Sequence, residues 1–402
     1  MAKASPAFTN FTAGELSPRL DGRTDLQKYF NGCKKLQNLI VHPHGGASRR
    51  PGTIFVREVK NSAHNVRLIP FEFNVEQTYI LEFGDQYFRI HKDGGTVVDG
   101  SSDPIEVTTT YAHSDLAKLK FTQSADVMYI VHPDFEPRKI ARTSHTAWTI
   151  SDVGLQRGPM SEDNTTDTTL LADGRSGSVT ITASADLFAS SDVGRLVRLH
   201  FGYAKITGFT NAQNVTATVK KNEEGRAELT PLYTATTISA HEGDPSSTGL
   251  EHNDRYQDTA GNFVGQGFKE GMKIAVTGFT TGTNNEGTGI IVKVTDDTIL
   301  LAPSDDLADE ANGDSVTIQG KLIASTDWAL GAFSETTGYP SAVAIYEQRL
   351  VFASTATQPQ TLFFSIGGSF EDFAAGVDGD DALTYTLGSN QVNIIRYLQA
   401  GR

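Results

Sequence analysis

Between residues 53 and 92 the chain breaks into four short segments, "TIFVREVK", "VRLIPFEF", "TYILEFGD" and "YFRIHK", each ended by a few polar residues. Apolar and β-branched residues in runs this short suit strands, and none of the four is long enough to lay an apolar stripe along a helix. That pattern commits the molecule to β structure. The 38 glycines among 402 residues supply turns between strands, and 38% hydrophobic residues is modest but enough for several cores in a chain of this length. Cys33 is the single cysteine. No intrachain disulfide can form, which excludes the disulfide-stapled secreted class. The N-terminus has no apolar segment of signal-peptide length, and no run approaches a membrane span. We expect a protein made and folded in a cytoplasm.

Charge is unevenly placed. The chain carries a net −14, yet residues 1–60 hold ten Lys/Arg against four Asp/Glu, and residues 221–320 hold six against seventeen. A basic end on an acidic body suits an acidic neighbour, protein or nucleic acid, although chance clustering on a solvated surface gives the same totals.

Residues 1–23 read as an extended arm with Pro6, Gly14, Pro18 and Gly22. In "TDLQKYFNGCKKLQNLIV" the spacing of Leu26, Phe30, Cys33, Leu36 and Ile40 predicts a helix over about 25–39. Thr24 and Gln27 stand at capping-box spacing, and His42-Pro43 would end the helix. After the first strands, "HSDLAKL" reads as a short helical stretch. "VMYIVHP" reads as a strand buried on both faces, since Tyr129 and Val131 alternate with Met128 and Ile130. Residues 156–177 are linker-like. Two stretches, 185–219 and 261–301, then share a scheme: an aromatic, a polar step, a glycine and an apolar strand ("DVGRLVRL", "KEGMKIAV"), with "ITGFT" and "VTGFT" following. Strands are expected at 341–347, 349–354 and 361–365, a meander like one propeller blade. The final "VNIIRYLQAGR" reads as a strand whose sheet is completed by residues beyond Arg402 or by another chain.

The expected organisation is a mainly β protein. It comprises an arm and docking helix (1–52), a β platform (53–155), a linker (156–177) and two small barrel or sandwich modules (178–325, with units near 178–225 and 255–325). The start of an incomplete propeller-like region (326–402) follows.

Few residues suggest chemistry. His42 and His44 in "HPHGG" could share one face of a strand and hold a metal, but no third ligand lies at a metal-site spacing. Arg49-Arg50 could fork around a phosphate or carboxylate, or pair with an acidic surface on a neighbouring subunit. "GTNNEGTG" (282–289) begins like a phosphate-binding loop, but Thr288 stands where lysine belongs. "DGDDA" (378–382) lacks the calcium-loop pattern. Asp and Glu are too plentiful for any glycosidase pair to stand out. No Gly-x-Ser-x-Gly elbow is present, and Cys33 reads as a small core residue of the helix. The expectation is no enzyme and no cofactor.

Three long stretches, in order, carry a resemblance: "FTAGELSPRLDGRTDLQKYFNGCKKLQNLIVHPHGGASRRPGTIFV", "LKFTQSADVMYIVHPDFEPRKIAR" and "YEQRLVFASTATQPQTLFFSIGGSFEDF". Together they resemble signatures of the tail tubular protein B, or tail nozzle, family of short-tailed bacteriophages. The resemblance covers about 100 residues and is weaker across 178–325. It implies a structural protein of the virion tail, assembled in the bacterial cytoplasm. Such a protein forms a hexameric ring below the portal and adaptor, a conduit through which DNA leaves and a seat for tail fibres. It also implies a platform and a propeller; family members generally run longer than this chain. An acidic lumen would let DNA slide without the affinity that phosphate neutralisation creates. The basic arm would dock on the adaptor or a neighbouring protomer, with "HPHGGASRRPG" as the elbow between helix and platform, bent at Gly45, Gly46 and Gly52. Candidate interface residues are Arg19, Arg23, Lys28, Lys34, Lys35, His42, His44, Arg49 and Arg50, with Arg49 and Arg50 foremost. Other readings are a different head–tail connector or stabilisation protein, and a glycan-binding or glycan-cleaving tail appendage.

Overall fold

The computed structural model describes residues 8–199, 202–222, 225–243, 253–287, 289–302, 306–376, 378–388, 391 and 393–401. The chain is mainly β: 41% is strand, among the described residues no helix reaches seven residues, and several antiparallel sheets include a curled half-barrel. It divides into two compact units, Met1–Glu58 and Val59–Arg402.

In the N-terminal unit, β1 (Gly14–Glu15) runs parallel to β2 (Gly32–Cys33), and β3 (Leu39–Val41) forms a hairpin with β4 (Ala47–Arg49). The helix expected over 25–39 is absent. A five-residue 3-10 turn, Gln27–Asn31, stands in its place, and Leu26 before it makes no side-chain cap. An isolated helix of this length is marginal unless an apolar face is buried, and here Leu26 and Phe30 remain exposed. The backbone pairs through β1 and β2 instead. Gly32 permits that pairing, because a Cβ there would fall 2.5 Å from Leu16 Cγ.

The large unit begins with β5 (Arg67–Glu72), β6 (Thr78–Gly84), β7 (Tyr87–Lys92) and β8 (Gly95–Thr96), an antiparallel meander joined at β7 by β9 (Glu106–Thr108). A second meander follows: β10 (Lys120–Ser124), β11 (Val127–His132), β12 (Phe135–Arg142) and β13 (Trp148–Asp152). "HSDLAKL" contributes only a 3-10 turn, Leu116–Lys118. "TIFVREVK" forms no strand, although its residues favour one; a strand needs an edge to pair with, and residues 53–58 have none here.

The two modules lie within the next part. β14 (Leu170–Ala172), β15 (Ser178–Ala183), β16 (Leu196–Leu199), β17 (Gly202–Asn211) and β18 (Asn214–Val219) belong to the first. The second holds β19 (Leu232–Ala235), β20 (Ser239–His241), β21 (Arg255–Gln257), β22 (Lys273–Thr277), β23 (Gly289–Val294), β24 (Thr298–Leu301) and β25 (Val316–Gly320). β26 (Trp328–Leu330) then returns to the first. The sheet orders are β14-β15-β18-β17-β16-β26 and β19-β25-β22-β23-β24-β21-β20. Read from the other end, the second repeats the first strand for strand, with β19 added at one edge. The second module is nested between the fifth and sixth strands of the first. The stretch 156–177 is therefore not all linker, since β14 lies in it.

Matching hydrogen bonds support the repeat. Gly194 N–H donates to Ile206 O and Gly271 N–H to Ile291 O, both at 2.8 Å; Phe188 N–H donates to Ala212 O at 2.9 Å and Phe263 N–H to Asp296 O at 2.8 Å. The aromatic, the polar step and the glycine are thus equivalent in the two copies. "ITGFT" and "VTGFT" are not: the counterpart of Ile206 is Ile291, and Val276 lies in β22. Each sheet curls until its first strand is bridged to a residue shortly before its sixth, Leu170 to Ser325 and Ala240 to Glu310. Ile274, Ile291, Ile299 and Ile318 fill the second core, while Ile181, Val197, Ile206 and Trp328 help fill the first.

A third meander ends the unit: β27 (Ala342–Tyr346), β28 (Arg349–Ala353), β29 (Thr361–Phe364) and β30 (Leu383–Thr386). The first three match the expected strands. The described part of "VNIIRYLQAGR", residues 393–401, forms no strand; Ile395 N–H donates to Pro359 O at 3.0 Å and the Lys120 ammonium lies 3.8 Å from the Tyr397 ring centre.

β11 joins the three meanders. Met128 and Ile130 enter a core with Phe71, Leu81 and Phe88 of the first, while Tyr129 and Val131 enter a core with Val343, Leu350 and Phe352 of the third. It is buried on both faces, as its sequence predicts.

Candidate functional site

In the N-terminal unit, glycines 32 and 45 are the only buried residues among those described. Among the described residues no apolar side chain from it enters a core, while Phe8, Phe30, Leu39, Ile40, Ile54 and Phe55 are exposed. A segment of this size held by two-residue and three-residue ladders has little stability of its own.

"HPHGG" is the turn of the β3–β4 hairpin rather than an elbow between a helix and a platform. His42 N–H donates to Gly46 O at 2.8 Å, and Gly45 turns the chain at φ +108. Gly46 and Gly52 are outside the positive-φ region. The His42 and His44 rings stack at 5.3 Å, and His42 Nε2 lies 2.8 Å from Ser48 Oγ. Among the described residues no group of three His, Cys, Asp or Glu could hold a metal.

The two arginines have different situations. Arg50 is tied to the base of the hairpin: its Nε donates to Asn38 Oδ1 at 2.7 Å and its NH1 to Pro51 O at 3.1 Å. Arg49, opposite Leu39 in the ladder, extends from the exposed strand. Arg23 is engaged with Asp25 through two 2.7 Å bonds, which hold that carboxyl below its ordinary range. Arg19, Lys28, Lys34, Lys35 and His44 are exposed, and His42 is half-buried. His42 and His44 stand at the turn of the hairpin and Arg49 and Arg50 at its open end, so the hairpin holds them as two separate pairs; Arg19, Arg23 and Lys28 lie along the preceding turns, and Lys34 and Lys35 follow β2. Cys33 is a half-buried β2 residue with its Sγ 3.6 Å from Gly14 O, not a helix core residue.

Two polar groupings escaped sequence reading because their members meet only across strands. Glu82 accepts from Tyr87 OH at 2.9 Å and contacts His91 Nε2 at 3.0 Å, and His91 Nδ1 lies 3.1 Å from Thr96 Oγ1. The carboxylate–imidazole–hydroxyl order is that of a nucleophile triad, but His91 and Thr96 are cross-strand partners, so the ladder itself accounts for their contact. A cavity of about 90 Å³ is lined in part by Glu136, Asp152, Lys205, Lys220 and Tyr339. Lys205 bonds Glu136 at 2.6 Å, and burial pushes the Lys220 ammonium below its ordinary range. Two carboxylates balance two ammonium groups, so these charged side chains offer no excess charge to a ligand. "GTNNEGTG" forms a 3-10 turn, Gly282–Asn284, before β23; Thr288 lies outside the described residues. Arg349 NH2 in the third meander donates to the carbonyl of Gly379 in "DGDDA" at 2.8 Å. Among the described residues no helix is long and apolar enough to cross a membrane.

No protein-family model matches the chain. No curated protein matches it either.

Proposed function

We propose that this chain is a structural subunit of the tail of a short-tailed phage, a nozzle-type ring protein below the portal and adaptor that serves as a conduit for the genome and a seat for fibres. The observation that carries this reading is the N-terminal unit, basic and with no core of its own among the described residues, in a chain whose large unit is acidic. Such a unit suits a clamp whose fold is completed by a neighbour, in a ring with adaptor and fibre proteins as further partners. The three stacked meanders suit successive blades of a propeller-like body. Net negative charge suits a wall past which DNA moves without sequence-specific binding.

Electron microscopy of assembled tails tests the reading. A six-fold ring adjoining the adaptor, lost when exposed Arg49 is changed to Glu, is the expected result. Monomers or trimers at the tail periphery would overturn it in favour of a fibre-like or glycan-directed appendage.

A further inference from the structure

The chain holds two complementary, unsatisfied pieces of β structure. The first is "TIFVRE", residues 53–58. It is rich in strand-forming residues, yet it forms no strand, and its backbone makes no hydrogen bond among the described residues. Ile54 is 88% exposed and Phe55 82%. The second is the outer edge of β30, the last strand of the third meander. Its inner side is paired with β29 in the register Phe364↔Leu383, Phe363↔Thr384, Leu362↔Tyr385 and Thr361↔Thr386. On the outer side, the approach to the strand is bridged at Ala382 by Ala375, and no described residue bridges Leu383 to Thr386.

That edge lacks the usual protection. Proteins blunt free edges with lysine, proline, bulges or a covering loop. Here Leu383, Tyr385 and Leu387 alternate with threonines and a third of their surface or more is open; Tyr385 reaches 58%. The row on one face is apolar, as Ile54 and Val56 are on theirs.

We propose that residues 53–58 of one copy add as a fifth strand to the β30 edge of a second copy of this chain. The proposal deepens the ring reading above and rests on it. Charge selects a second copy as the occupant. The donor segment itself holds Arg57 and Glu58 and is preceded by Arg49 and Arg50, within a basic stretch, while Asp378, Asp380 and Asp381 stand just before β30 in an acidic body. Pairing in parallel brings Arg49 and Arg50 toward these aspartates, whereas antiparallel pairing would bring Glu58 there with Arg57, so charge favours the parallel arrangement. Backbone hydrogen bonds supply the attraction, and alternate side chains supply register. Donor and acceptor are different surfaces, so the contact is head-to-tail, the type that closes into a ring when its rotation allows.

The test uses two full-length variants. Ile54→Asp/Phe55→Asp disables the donor and leaves the edge, while Leu383→Asp/Tyr385→Asp disables the edge and leaves the donor. Native mass spectrometry should show an oligomer for the unaltered chain and monomers for each variant alone. Mixed, the variants should form a one-to-one dimer that grows no further, because one working joint remains. Circular dichroism of each variant checks that it is folded, and Val56→Asp with Thr384→Lys serves as a second, milder pair. A mixture that stays monomeric, or variants that keep the oligomer, overturns strand addition while leaving the ring reading in place. An unaltered chain that is monomeric at every concentration overturns both. A Phe55→Cys/Tyr385→Cys disulfide formed within single chains, in a Cys33→Ser background, overturns exchange between copies.

Discussion

Tyr111 and Tyr129 show how far single residues are committed to the interior. Both phenols are pushed up to about 12 from 10.0, in each case chiefly by burial; for Tyr129 the nearby Glu371 carboxylate adds to it. The folded protein thus keeps them neutral where an unfolded chain would ionise. Their contribution is full below pH 10, declines as pH rises past it and is gone beyond about 12. For Tyr111 a displacement of this size corresponds to about 3 kcal/mol. Denaturant titrations at rising pH should show stability falling from pH 10, and Tyr111→Phe should flatten part of that fall. Gly278 is a second committed position. It has φ +109, and a Cβ there would meet Ser315 O at 2.3 Å. Gly278→Ala should cost about 1–3 kcal/mol, read as a lower denaturant midpoint with the slope unchanged. The sequence marks Gly278 only as part of "VTGFT", a match to "ITGFT" that the hydrogen bonds do not uphold. A glycine's reason here depends on a residue far along the chain.

Elements were legible where local pattern and tertiary burial agreed. β11 is the clearest case, since apolar residues on both sides of a strand require cover on both faces. The strands at 342–346, 349–353 and 361–364 were readable for the same reason. The helix over 25–39 failed because a 3.6-residue spacing has meaning only when its face is buried, and Leu26 and Phe30 are exposed. "TIFVREVK" failed in the opposite way: strand preference is present without a partner edge. β30 went unread because "LTYT" is short, half threonine, and follows an aspartate–glycine turn. The basic character of the N-terminal segment was plain from composition. Its lack of a core, and the different roles of Arg49 and Arg50, depend on pairings that composition does not contain.

At the scale of the whole molecule, the nested repeat makes a definite claim about independence. The second half-barrel enters after Leu229 and leaves before Leu322, which pack against the first core, and Gly320 N–H donates to Pro231 O at 2.9 Å. Entry and exit are side by side, the arrangement in which insertions are tolerated. Replacing residues 231–320 by a short Gly/Ser linker should leave a folded protein with the β16–β26 pairing intact. A cooperative thermal transition and retained near-ultraviolet dichroism would show it; loss of both would mean that the first half-barrel needs the second. The shared strand order was hidden from sequence reading because the sixth strand of the first sheet arrives only after the entire second one.

The two-sided burial of β11 bears on how the three meanders answer a shearing force. Sliding this strand by one residue past a neighbour would carry Tyr129 and Val131 toward the core of Met128 and Ile130, and the reverse. Both apolar layers would have to be remade together. The strand therefore acts as a key between two plates, resisting slip along its length.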